Sequence, residues 1–297
     1  TKQFNGLLAV DNLNLHVEQG EVFGFLGPNG AGKTTTVRML ACLIAPSAGE
    51  ATVNGLRVGQ DNTAIRRCVG VLTESPGLYE MLSAYQNLAF YADLYEVENG
   101  DKQVEKYLRM LGLWERRDEA VAAFSKGMKQ KLAIARALIH EPKALFLDEP
   151  TAALDPEASK VVHDFIEELK SERRTIFMCT HNLAEAERLC DHIAVLKTHL
   201  VAVDTPEGLR RRLFGRKTVI QLKVVEPWMV SAVRELDLAQ DVQQADNTLL
   251  VTLSNPEEQN PIIVQKLVQM GAQVQFVNEL KHSLEEVYLT LVKETKQ

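Results

Sequence analysis

No stretch of this chain approaches the roughly 18 consecutive apolar residues of a membrane-spanning helix, so any membrane connection is expected to run through a partner. Nothing at Thr1 reads as a secretory leader. A surplus of positive charge is missing as well. Lys and Arg number 33 against 40 Asp and Glu, which leaves a net charge of −7 and an isoelectric point near 5.6. Without basic excess to neutralise a phosphate polymer, nucleic acid is not expected as the main partner. Cysteine is sparse: Cys42, Cys68, Cys179 and Cys190 form no CxxC pair. Three of them lie in apolar or helical runs, as reduced, buried thiols of a cytosolic protein would. Internal repeats and low-complexity segments are also lacking, so each part of the chain must be read on its own pattern. What remains is ordinary for a globular protein, 45% hydrophobic and 25% charged over 297 residues. That length suggests one large domain and one smaller one.

Strand and helix patterns alternate through the first two thirds. Residues 13–26 read as two strands around a turn at Gln19-Gly20, followed by a helix at about 33–44. A strand near 50–54, a short helix and a strand at 68–74 come next. Residues 83–115 are expected to be helical. KALFLD, 143–148, and TIFMCT, 175–180, read as buried strands. Between them a helix at 156–170 has Asp155 as its cap and Pro156 in its first turn. This order implies a largely parallel sheet covered by helices. The texture changes at the charged run RRRLFGRK, 210–217. Beyond it the pattern is strand 217–225, helix 227–236, strands 240–244 and 248–253, helix 259–270, strand 273–278 and helix 283–293. A β-α-β-β-α-β order suggests a small α+β ferredoxin-like domain.

GPNGAGKT, residues 27–34, matches G-x-x-x-x-G-K-[ST] at every fixed position, between an apolar strand and a helix. Glycines at 27, 30 and 32 let the loop wrap phosphate with inward backbone N–H groups. Lys33 then reaches the β- and γ-phosphates, and the Thr34 hydroxyl ligates Mg²⁺. Gly27, Pro28, Asn29, Gly30, Ala31, Gly32, Lys33, Thr34 and Thr35 are thus the candidate ATP contacts. LFLDEP, 145–150, ends a strand in Asp148, a carboxylate able to hold the Mg²⁺ shell. Glu149 follows, placed to orient or deprotonate the attacking water. His181 ends the second buried strand, where ligands bind in open α/β sheets, and is a candidate γ-phosphate sensor. A second anion site is written at FSKGMKQ, 124–130. There Ser125 caps a helix and Gly127 leaves the backbone open.

GPNGAGKTT, FSKGMKQ, LFLDEP, TAALD and CTH together resemble, in order and spacing, the nucleotide-binding subunit of ABC transporters. The resemblance covers residues 1 to about 215. It implies a P-loop NTPase of the ABC type, with a parallel sheet core, an antiparallel β subdomain and a helical subdomain at about 75–140. Residues 216–297, ending in SLEEVYLTL, look like the extension of drug-resistance and antibiotic-export ATPases in that family. The resemblance also accounts for the second anion site. In the family two subunits pack head to tail, and Ser125 and Gly127 would contact the γ-phosphate held by the other chain. TAALD, 151–155, would lie across that interface, with Asp155 linking the two sites. Phe4 aligns with the aromatic residue that stacks on adenine, and Glu74 with the glutamine that helps ligate Mg²⁺. The family's first strand normally precedes Thr1.

The expected activity is ATP hydrolysis by a homodimer, or by a pair with a sister subunit, driving a membrane-spanning permease docked near residues 74–95. The chain would then sit peripherally at the cytoplasmic face of the membrane. Two departures stand out: Lys126 replaces the first glycine of the usual LSGGQ signature, and Glu74 replaces glutamine. The latter predicts a tighter Mg²⁺ requirement or altered turnover. A soluble ABC ATPase with a non-transport role is the alternative. A kinase using the same loop is a third reading, against which FSKGMKQ and His181 speak.

Overall fold

The computed structural model describes residues 1–73, 77–152 and 154–294. Two compact units result, Thr1–Pro206 and Glu207–Gln297. In the first, the elements run β1 (Lys2–Phe4), β2 (Leu7–Val10), β3 (Val22–Leu26), α1 (Lys33–Leu40), β4 (Thr52–Val53), β5 (Leu56–Arg57), α2 (Asn62–Cys68) and β6 (Val69–Leu72). They continue with α3 (Ala84–Leu94), α4 (Gly100–Met110), α5 (Lys126–Leu138), β7 (Ala144–Asp148), α6 (Pro156–Ser171), β8 (Thr175–Thr180), α7 (Leu183–Leu189), β9 (His192–Lys197) and β10 (His199–Asp204).

The main sheet has the order β10-β9-β3-β8-β7-β6. All its strands run parallel except β10, which returns antiparallel from β9. Every residue of β3 and of β7 is buried, so neither strand alternates. Continuous apolar runs of this kind belong to parallel sheets covered on both faces. The register decides what the sheet can do. Leu26 pairs with Thr180, and Asp148 with Cys179, so β3, β8 and β7 stop side by side. The residues that follow, Gly27, His181 and Glu149, therefore emerge at one carboxyl edge.

Several local expectations are corrected. The alternating segment 13–17 forms no strand. Leu13, Leu15 and Val17 are partly buried against the core, but no backbone ladder accompanies them. The strand near 50–54 shrinks to the two residues of β4, paired with β5. Helix α1 stops at Leu40, just before Cys42 turns to a positive φ of 57°. The helical stretch 83–115 is two helices, separated where Glu96 and Asn99 adopt φ values of 56° and 55°. Left-handed residues of this type cannot continue a right-handed helix.

Helix α8 (Pro206–Phe214) begins at the boundary, and all of it but Pro206 belongs to the second unit, which continues with β11 (Arg216–Leu222), α9 (Pro227–Arg234), β12 (Ala239–Ala245), β13 (Thr248–Leu253), α10 (Pro256–Gln269), β14 (Val274–Glu279) and α11 (Leu284–Glu294). Its sheet is antiparallel throughout, in the order β12-β13-β11-β14, which is the ferredoxin-like arrangement. Ile220, Leu222, Val242, Leu249 and Val251 pack against Met229, Val233, Ile263 and Leu267 of α9 and α10. The division falls between Pro206 and Glu207, ahead of the joint expected at 215–216. Helix α8 is tied to the second unit by a Phe214–His282 ring stack at 4.0 Å and an Arg210 Nε bond to the His282 carbonyl. Among the described residues no helix is long and apolar enough to cross a membrane.

Candidate active site

The glycine-rich loop joins β3 to α1. At its end Gly32 has φ +100°, and a Cβ there would lie 2.4 Å from the Ala9 carbonyl oxygen. Only glycine fits this close approach of β2 to the start of α1. The Lys33 side chain folds back over the loop. Its ammonium is buried and donates to the carbonyls of Gly27 at 2.6 Å and Pro28 at 3.2 Å. That places a desolvated positive charge inside the loop, where its attraction for phosphate is strongest. Thr34, one residue on, donates from Oγ1 to Asp148 Oδ2 at 2.7 Å.

Glu149 stands at the end of β7 with φ +53°, a conformation that costs a non-glycine residue about 1–2 kcal/mol. Its N–H bonds the Cys179 carbonyl at 2.8 Å, which holds it there. The carboxylate consequently turns toward the next strand end. Glu149 Oε2 lies 2.8 Å from His181 Nδ1 and 3.4 Å from the His181 N–H. The Glu149 side chain is 16% exposed and that of His181 67%, so the pair opens outward from a dry floor. Cys179 belongs to that floor. Burial, and secondarily the charge of Asp148, drive its thiol well above the ordinary value, so it remains neutral and is no nucleophile. All four cysteines are free thiols, two buried and two half-buried.

The site thus unites Gly27–Thr34, Asp148, Glu149 and His181 from three parallel strand ends. Phe4 lies on the β1–β2 hairpin, whose second strand abuts Gly32. It is 42% exposed, with Lys2 Nζ 4.8 Å above its ring. Ser125 and Gly127 are not brought to the loop. Ser125 Oγ accepts the Met128 N–H at 3.2 Å as the cap of α5. Among the described residues, neither bonds to residues 27–34. Helix α5 is joined to the strand end by Gln130, whose buried amide donates to the Pro150 carbonyl at 2.9 Å. Asp155 caps α6 through the Ala158 N–H at 2.7 Å. Glu74 lies outside the described residues. Sequence reasoning missed Glu185, a buried carboxylate behind the site. Its only local signal is the spacing Asn182-x-x-Glu185 at a helix start.

A phosphate loop, a Thr–Asp pair, and a glutamate paired with histidine define an ATP-hydrolysing P-loop protein. The comparisons narrow this further. The model of the ABC transporter family matches residues 10–152. An uncharacterized ABC transporter ATP-binding protein of Bacillus subtilis, YhcH, is 32% identical over 299 residues, covering 100% of this chain and 95% of its own. The bacitracin transport ATP-binding protein BcrA of Bacillus licheniformis is 40% identical over 71% of this chain and 70% of its own. Among solved structures, a dimeric ATP-binding cassette in a post-hydrolysis state, bound to ADP and Pi, aligns with TM-score 0.62. It shares 26% identity over 66% of this chain and 90% of that one. The chain belongs to the ABC transporter family, as an ATP-binding, ATP-hydrolysing subunit.

Proposed function

We propose that two copies, or one copy and a sister subunit, close head to tail on two ATP molecules and hydrolyse them to drive export through a separate permease. The observation that carries this reading is the Glu149–His181 pair standing beside the Thr34–Asp148 pair at one sheet edge. Lys33 and the loop N–H groups would hold the phosphates. Thr34 and Asp148 are adjacent hard oxygen donors, the chemistry that suits Mg²⁺, and Glu74 would add a third. When bound, the ion would neutralise negative charge on the phosphates. Glu149 would take a proton from water as its oxygen bonds to the γ-phosphorus and the bond to the bridging oxygen breaks. His181 would orient Glu149 and contact the γ-phosphate.

Ser125 and Gly127, remote from their own loop, would complete the partner's site at the N-terminus of α5. Phe4 would stack on adenine. The permease would dock near residues 74–95. There Tyr79, Phe90 and Tyr91 form an aromatic cluster, and Met81 and Leu94 are exposed. Asn87 holds the Tyr79 backbone through bonds to both its N–H and its carbonyl. Such a surface suits a short helix from a membrane subunit at the cytoplasmic face. The bacitracin-transport relative supports a role in transport, and the C-terminal extension supports an exporter.

Light scattering of Glu149→Gln protein, with and without Mg-ATP, tests the proposal. Removing the base should trap ATP and shift monomer to dimer, and Ser125→Arg should abolish the shift. A Glu149→Gln enzyme that hydrolyses ATP at the parental rate would refute the catalytic assignment.

A further inference from the structure

Glu185 is 2% exposed, yet its carboxylate ties together three separate segments. Oε1 accepts the Thr151 hydroxyl at 2.9 Å and pairs with His163 Nε2 at 3.1 Å. Oε2 accepts the Thr180 hydroxyl at 2.7 Å. Thr151 follows Glu149 by two residues, Thr180 immediately precedes His181, and His163 belongs to the middle of α6. A buried carboxylate is costly unless its oxygens are filled by donors, and three donors converge here.

The local sequence predicts a different arrangement. Asn182 as cap and Glu185 three residues later spell a capping box, in which the glutamate turns back to the Asn182 N–H. Only half of it forms. Asn182 Oδ1 accepts the Glu185 N–H at 3.2 Å, but the Asn182 N–H goes to Thr180 Oγ1 at 3.0 Å. The Glu185 side chain is thereby released from its own helix and points at the catalytic segments. Because the Thr180 oxygen already accepts from Asn182, its one hydrogen is left for Glu185, and a carboxylate receives it.

We infer that Glu185 is a positioning residue for the Glu149–His181 pair. The backbone bond from Glu149 to Cys179 fixes the strand ends. Glu185 fixes the segments just beyond them, and so sets the 2.8 Å contact between base and histidine. The inference rests on the assignment of Glu149 under the proposed function.

Glu185→Gln preserves volume but places an NH₂ where Thr180, or Thr151 and His163, already direct a hydrogen. Sub-ångström displacement of a catalytic group is enough to lower kcat by at least about tenfold. Because the substituted residue does not touch the nucleotide loop, KM and the dissociation constant for ATP should stay within about twofold. A general structural defect would instead lower the melting temperature and multiply with any other lesion. In a His181→Ala background, where the pair is already broken, Glu185→Gln should change residual turnover by less than about twofold.

Parental kcat in Glu185→Gln, or the full loss repeated on His181→Ala, overturns the inference. Should Glu185→Gln not fold, Thr151→Val removes one donor. It should lower kcat by about threefold at constant KM, again only when His181 is present, and a Thr151→Val enzyme with parental kcat also overturns the idea. Glu149→Gln separates the two levels of the reading. If it retains turnover, the assignment of the base falls, and this inference with it. If it is inert while Glu185→Gln turns over normally, the inference falls alone.

Discussion

Replacing Gly32 with alanine should damage this protein in a way the neighbouring glycine does not. At Gly32 the backbone has φ +100°, and the new Cβ would sit 2.4 Å from the Ala9 oxygen and 2.9 Å from Val10 Cγ2. Neither neighbour is the loose end of a surface side chain. One is backbone of β2, and Val10 is fully buried. Strand and helix must separate by roughly half an ångström merely to bring the closest contact to 3.0 Å. Overpacking of this kind costs about 1–3 kcal/mol, and a left-handed L-residue about 1–2 kcal/mol more. In a unit of this size each kcal/mol lowers the melting temperature by about 2–4 °C, so a loss of about 4–20 °C is expected. At Gly30, φ is +81° and nothing lies within 4 Å of a built Cβ. Gly30→Ala should therefore show the backbone strain alone, about 2–8 °C. Scanning calorimetry of both variants, with and without saturating ATP, is the assay. Gly32→Ala should also lose the rise in melting temperature that ATP produces, because its loop amides are displaced. If the two variants melt together within about 2 °C, the close approach of β2 to α1 is not what holds this loop, and the reasoning fails.

Two other perturbations probe separate parts of the molecule. Thr34→Val deletes the oxygen that meets Asp148 at 2.7 Å. Affinity for Mg-ATP should fall by about 10–100-fold, binding of ATP in chelator should not change, and Thr34→Ser should behave as the parent in titrations of both. Glu141 supplies a test of pH dependence. Burial pushes its carboxyl up, but hydrogen bonds from Arg174 and Lys106 outweigh this and hold it at about 2. A carboxylate depressed below its unfolded value of 4.5 adds stability above about pH 4.5, and that contribution disappears as pH falls toward 2. Glu141→Gln should cost about 1–2 kcal/mol at pH 7, after allowance for solvent screening at a side chain 31% exposed. In urea titrations the gap between variant and parent should narrow between about pH 4.5 and 3. A gap that widens on acidification would contradict the assignment.

Residues 27–34 were legible because the motif is contiguous: one strand end, one loop, one helix start. Asp148 and Glu149 were legible because a wholly apolar run ending in acid has few places to stop except the mouth of a parallel sheet. The second unit was legible almost strand by strand: β13 alternates half-buried and buried residues throughout, and β11 buries every second residue from Thr218 on. Segment 13–17 misled for the converse reason. Its alternation reports one half-buried side, which a chain can present without pairing its backbone. The halves of the site meet through register. Glu149 and His181 are 32 residues apart and touch because β7 and β8 pair Asp148 with Cys179. A one-residue slip would turn every side chain of a strand to its other face, and no local pattern specifies that offset. Glu185 was hidden more completely, because its neighbourhood spells a helix cap and its partners come from three distant segments. The sequence by itself thus determined the phosphate loop, the strand carrying the acids and the order of the elements, all of which rest on short-range pattern. The tertiary structure alone decided which strand ends adjoin and which buried carboxylate stands behind them, because those contacts depend on packing between segments far apart in the chain.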